Sequence, residues 1–76
     1  MVFFDDPMEK VISRLENWYN VEIEVKDPQL LREHITGTFN DNSLQQVLHF
    51  LSLMSPLDYN FVATDENKQK VILSRK

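Results

Sequence analysis

Two histidines, His34 and His49, are the side chains best suited by intrinsic pKa to move a proton near neutral pH. They fall in different predicted elements, and neither belongs to a ligand spacing such as H-E-x-x-H that would hold zinc. Both are read as surface or packing residues, with His49 on the polar side of a helix. Asp5, Asp6 and Glu9 form an acidic cluster, the kind of donor set a calcium ion takes. A calcium loop alternates its ligands around a glycine, and that pattern is absent here. Helix capping explains Asp6 and Glu9 more simply, because uncharged Asn42 and Gln45 hold the corresponding places later in the chain. Ser13, Ser43, Ser52, Ser55 and Ser74 supply hydroxyls, but none lies in a G-x-S-x-G elbow. The single glycine, Gly37, also excludes a glycine-rich phosphate loop. No nucleophile, base and orienting group can be assembled. The expectation is a non-enzymatic chain with no cofactor and no metal site.

Recognition chemistry is the better prospect. Aromatic residues carry much of the energy at protein interfaces, and Trp18-Tyr19 is an aromatic pair. Trp18 is expected to close the core at the end of a first helix, with Tyr19 exposed. A sheet margin is the second prospect, since its unpaired N–H and C=O groups accept a partner strand. Val71-Ile72-Leu73-Ser74, apolar and close to the last residue, is the candidate edge. The candidate partner-binding residues are therefore Tyr19, Val71, Ile72, Leu73 and Ser74.

The elements that must position these residues follow from patterning. Val2-Phe3-Phe4 reads as a short strand. Asp6 is the expected N-cap of helix one, with Pro7 in its first position and Glu9 closing a capping box. Met8, Val11, Ile12 and Leu15 form a helical stripe, and the helix is expected to end between Asn17 and Tyr19. Val21, Ile23 and Val25 alternate with Glu22, Glu24 and Lys26, a strand with one buried face. Asp27-Pro28 breaks it. Residues 29–34 leave room for one helical turn that folds Leu30 or Leu31 onto the core. Ile35 to Phe39 is the next strand, where Gly37 marks a bulge or a close approach. Asn42 and Gln45 repeat the cap and box. Leu44, Val47, Leu48, Leu51 and Met54 form a second stripe, ended by Pro56. Phe50 and Leu53 widen the second apolar face, so helix two is expected to be the more central. Leu57, Tyr59 and Phe61 give a strand, residues 65–68 a polar turn, and Val71 to Ser74 the last strand.

The two series keep one register. Adding 36 to a residue number converts Asp6-Pro7-Met8-Glu9 into Asn42-Ser43-Leu44-Gln45, and Val11, Ile12 and Leu15 into Val47, Leu48 and Leu51. Val21, Ile23 and Val25 become Leu57, Tyr59 and Phe61, while Phe3 becomes Phe39 and Ile35 becomes Val71. This reads as a single domain over residues 1–76 built from two copies of one unit, about 2–39 and 35–74. The fold class is α+β: strand-helix-strand, then strand-helix-strand-strand, with the two helices packed on small mixed sheets.

Composition sets the outer bounds. A chain of 76 residues buries only about 60 % of its unfolded surface. No cysteine is present to add a disulfide. The formal charge is −4, and the cations are scattered. A nucleic-acid binder needs a basic stripe to displace counterions from phosphates, so none is expected as a partner. No apolar run approaches the roughly 20 residues of a membrane span, and no signal peptide is seen.

Four segments carry a family resemblance: F-D-D-P-M-E-K-V (Phe4 to Val11), W-Y-N-V-E-I (Trp18 to Ile23), I-T-G-T-F (Ile35 to Phe39) and S-L-Q-Q-V-L (Ser43 to Leu48). Together they resemble the C-terminal domain of FecR-like anti-sigma regulators, of the type common in Bacteroidetes. That domain is similar to the short signalling domain at the start of secretins and TonB-dependent outer-membrane transporters. The resemblance implies a βαβ-repeat fold in the periplasm, as part of an inner-membrane-anchored regulator. It implies one partner, the periplasmic signalling domain of a TonB-dependent transporter. A sigma factor would be reached only through an N-terminal part not contained in this chain, and the domain itself would not touch the membrane. The competing expectation is an architectural or self-associating module of secretin type, with no transporter partner.

Overall fold

The computed structural model describes residues 1–62 and 69–76, so the polar turn expected at 65–68 lies outside the described residues. The order is β1 (Val2–Pro7), α1 (Met8–Tyr19), β2 (Val21–Val25), a 3-10 helix (Pro28–Arg32), β3 (His34–Thr38), α2 (Leu44–Met54), β4 (Leu57–Val62) and β5 (Gln69–Arg75). β1 pairs antiparallel with β3. The second sheet has the order β2-β5-β4. In it β5 runs parallel to β2 and antiparallel to β4. Two helices on two small sheets make this an α+β fold.

The helical stripes bury as their spacing requires. Met8, Val11, Ile12 and Leu15 are buried on α1, and Leu44, Val47, Leu48 and Leu51 on α2. Asn20 ends α1 with φ 51°, and its N–H donates to the Glu16 carbonyl. Asparagine tolerates this left-handed conformation better than most residues. The 3-10 helix folds Leu30 into the core, and Asp27 caps it by accepting from the Gln29 N–H.

The helix starts differ from expectation. Asp6 does not cap α1; its Oδ2 accepts from the Phe4 N–H at 3.2 Å. Asn42 does the same for the Asn40 N–H at 3.0 Å. Asp5 and Asp41, immediately before them, both have positive φ, 51° and 55°. Each helix is thus entered through the same tight turn, in which a short polar side chain bonds local backbone and is lost to the helix. Met8 N–H donates instead to the Glu33 carbonyl at 2.6 Å. α2 is capped one residue later than expected, by Ser43, with Gln46 closing the capping box.

Residues 36 apart fall in matching elements for α1 and α2, β2 and β4, and β3 and β5, but β1 has no counterpart strand at residues 39–43, and the strand pairing differs. β4 pairs with β5, whereas the corresponding strands β2 and β3 lie in separate sheets. β3 turns to β1 and β2 to β5, so the halves interlock. Phe3 and Phe39 meet edge to face, with centroids 5.9 Å apart, and Phe39 meets Phe50 at 5.1 Å. Gly37 is where that second ring comes close: a Cβ there would lie 3.2 Å from Phe50 Cε1. The bulge sits opposite, in β1 between Phe3 and Asp6, at the positive-φ Asp5.

Helix two is not the more central one. α1 packs against β1, β2, β3 and the 3-10 helix, whereas α2 packs mainly on β4. Leu53 points to solvent, and Phe50 only leans on the β3 end. At about 100° per residue, Leu53 stands opposite the Leu44–Leu48 stripe.

Candidate interaction surface

Trp18 and Tyr19 exchange their expected places. Trp18 is 68 % exposed, while Tyr19 packs against the core. On the helical wheel Tyr19 continues the Leu15 direction and Trp18 falls at the stripe margin. Met54 and Ser55 repeat this one copy later, with Met54 exposed and Ser55 buried. Tyr19 Oη donates to the Asn42 carbonyl at 2.7 Å, fastening the end of α1 to the turn before α2. It is therefore a strut between the halves rather than an exposed contact.

Burial raises the Tyr19 phenol above its ordinary value near 10. The unfolded chain then ionises first as pH rises, so the stability that Tyr19 contributes is complete below about pH 10 and is lost above it. Tyr19→Phe is expected to cost about 0.5–1.5 kcal/mol at neutral pH through the lost hydrogen bond. It should also flatten the fall in stability above pH 10. Urea melts of both proteins across pH 8–11 check this.

The edge expected at Val71-Ile72-Leu73-Ser74 does not exist. β5 is the middle strand, hydrogen-bonded on both sides. Val71 and Leu73 are fully buried and Ile72 and Ser74 half-buried, which makes this a core strand. Its apolar composition reflects that place.

The open margins belong to other strands. On β2, the outward N–H of Ile23 donates to Glu16 Oε2 at 3.0 Å, so an α1 carboxylate covers that edge. β4 is the opposite margin, and Phe61 and Val62 are both exposed there. Between β4 and the start of α2 runs an open groove of about 450 Å³, lined by Ser43, Gln45, Gln46, His49 and Tyr59. A second open groove, which shares Ser43 and Gln45 with the first, is lined by Leu44, Phe61 and Gln69. Sequence reasoning missed this site because the alternation of Leu57, Tyr59 and Phe61 reads as a strand with one buried face; Tyr59 does pack against the core, but Phe61, toward the end of β4, is exposed.

The titratable candidates do not converge. His34 Nδ1 lies 3.0 Å from Asp5 Oδ1 across the bulge, with both side chains exposed. His49 is exposed at the groove. Among the described residues no cluster of three or more His, Asp or Glu is placed to hold a metal ion. Among them, too, no helix is long and apolar enough to cross a membrane.

The chain is thus a small α+β domain that leaves sheet margins and aromatic side chains such as Trp18 accessible. The family model described as FecR, C-terminal, matches residues 1–72, and the chain belongs to that family. Two crystal structures of a Parabacteroides distasonis ATCC 8503 protein, classed provisionally as an anti-sigma factor, superpose on the whole chain. Their TM-scores are 0.81 and 0.79, at 26 % and 27 % identity. The chain spans about a third of those proteins, 34 % and 33 % of their lengths. No curated protein matches.

Proposed function

We propose that this chain is a non-enzymatic interaction domain of a FecR-like transmembrane anti-sigma regulator. It works in the periplasm, where it receives a signal from the signalling domain of a TonB-dependent outer-membrane transporter and passes it toward a sigma factor. The observation that carries this reading is the family match over residues 1–72, supported by full-length superposition on one third of a protein provisionally classed as an anti-sigma factor. The sigma factor is engaged by another part of the parent regulator. Docking shifts that regulator between states that hold and release the factor, which requires unequal affinity for the two states.

Trp18 is the proposed contact. It is the chain's one tryptophan, it is exposed, and indole is among the side chains most enriched at binding hot spots. Titrating the 76-residue chain with the isolated N-terminal domain of the cognate transporter is expected to change Trp18 emission. Trp18→Ala should weaken binding by about 2 kcal/mol or more, roughly 30-fold, without altering the melting curve. An absence of binding at about 1 mM, where contacts of roughly −4 kcal/mol still register, would refute the relay.

A further inference from the structure

α1 sorts its outward side chains by charge. Lys10, Arg14 and Trp18 follow one another at intervals of four along one flank, the side where Arg14 reaches β1. Glu9 and Glu16 lie on the other flank, where Glu16 covers the edge of β2. Arg14 is the fixed member of its ridge. Its Nη1 donates to the Val2 carbonyl at 2.9 Å, and its guanidinium lies 5.0 Å above the Phe3 ring. That ring is buried and braced by Phe39. The guanidinium is thereby held at the surface with its direction set, so little rotamer freedom is left to lose on binding. It carries five N–H donors, and the Val2 carbonyl takes one. Among the described residues no carboxylate pairs with Arg14, whereas Lys10 has Asp6, Lys26 and Lys70 share Glu24, and Arg75 has Asp27. Arg32 also lacks a carboxylate among those residues, but it stands exposed on the 3-10 helix with no ring beneath it. One turn beyond Arg14, about 6 Å along the axis, is the exposed indole of Trp18.

We infer that Arg14 and Trp18 form one two-point contact, in which a partner protein presents an Asp or Glu carboxylate to the guanidinium and an apolar pocket to the indole. The contact presupposes the relay proposed above, and it fixes what the transporter's signalling domain must offer. A carboxylate accepts two of the remaining N–H donors at once, in the planar fork that arginine provides and lysine does not. Arginine and tryptophan are also among the side chains most enriched at binding hot spots.

Charge limits the occupant to a single carboxylate. The chain carries −4 overall, so a partner face dense in acid would be repelled. On the ridge itself, Lys10 is already answered by Asp6, which leaves Arg14 as the cation to be met. A lipid phosphate is the other common ligand of a guanidinium. An anionic lipid surface repels a net-negative domain, and the neighbouring indole calls for a shaped apolar pocket.

Titration of the 76-residue chain with the isolated N-terminal domain of the cognate transporter, read by Trp18 emission at about 50 mM and about 500 mM salt, tests this contact. The expected result is binding that weakens with salt. Arg14→Gln weakens it about tenfold or more at the lower salt and removes most of the salt dependence. Arg14→Lys, which keeps the charge without the fork, stays several-fold weaker than the parent. Arg32→Gln makes the same change in net charge and binds like the parent. Arg14→Gln also gives up the seat on Phe3, so melting curves fix a temperature at which every variant is folded. A purely structural role would not move the salt dependence. Binding indifferent to salt and to Arg14→Gln overturns the inference and leaves the relay standing. So does Arg14→Lys at parent strength, which reduces the contact to a point charge, or an equal loss in Arg32→Gln, which assigns the effect to net charge. Arg14-dependent binding to phosphatidylglycerol vesicles, with binding to the transporter domain indifferent to Arg14, assigns the guanidinium to lipid phosphate and likewise overturns it. No binding to the transporter domain at either salt refutes the relay and this contact with it.

Discussion

Leu48→Ala is expected to lower the unfolding free energy by about 2–5 kcal/mol. The side chain is fully buried in the middle of the α2 stripe, between Val47 and Leu51 and one copy on from Ile12. Truncation removes the transfer term of three heavy atoms and leaves a cavity that the close-packed core around it cannot readily close. A domain of this size has a total stability of about 4–11 kcal/mol, so the loss takes a large share of it. A urea melt should show an earlier midpoint with an unchanged slope. Parent-like stability would mean that α2 is not seated on the core as described.

Phe39→Ala is expected to cost about 3–5 kcal/mol, the usual range for a buried aromatic. Phe39 is 7 % exposed and sits between the Phe3 and Phe50 rings. Its backbone is also engaged, since its N–H donates to the Met1 carbonyl and its carbonyl accepts from the Met1 amino group. Edge-to-face pairs add about 0.5–1.5 kcal/mol beyond area burial, and this ring makes two of them. Arg14, 5.0 Å above the Phe3 ring, then loses the support that holds that ring in place. Calorimetry on the variant should show a single transition at lower temperature. Phe39→Leu, which keeps much of the volume, should recover part of the loss.

Local chemistry made much of this fold readable. Two stripes at helical spacing, one alternating strand and one Asp-Pro break gave α1, α2, β2 and the 3-10 helix that buries Leu30. Gly37 was legible as a close approach, though not which ring would come. The helix starts misled because Asp and Asn serve caps and turns by the same hydrogen bond. Asp6 and Asn42 took the turn, and only the positive φ of their predecessors decides between the two. Trp18 and Tyr19 differ by one residue, about 100° of helix rotation, which is less than the error in where a helix is thought to end. The interaction surface was the least readable part. Whether Val71–Ser74 or Leu57–Val62 forms a margin depends on strand order, and strand order is set by contacts far apart in the chain. An apolar strand looks the same in sequence whether its two neighbours are protein or solvent.

The seat of β5 between β2 and β4 also bears on how the molecule is made. Val21 finds its ladder partner in Gln69, roughly fifty positions later, and loop-closure entropy makes such distant pairings slow to form. A nascent chain holds β2 and β4 without the strand that joins them until residues 69–75 emerge. Refolding of the 76-residue domain should therefore be slow for its size. Nascent fragments that end before residue 69 should be sensitive to proteases however well their helices have formed.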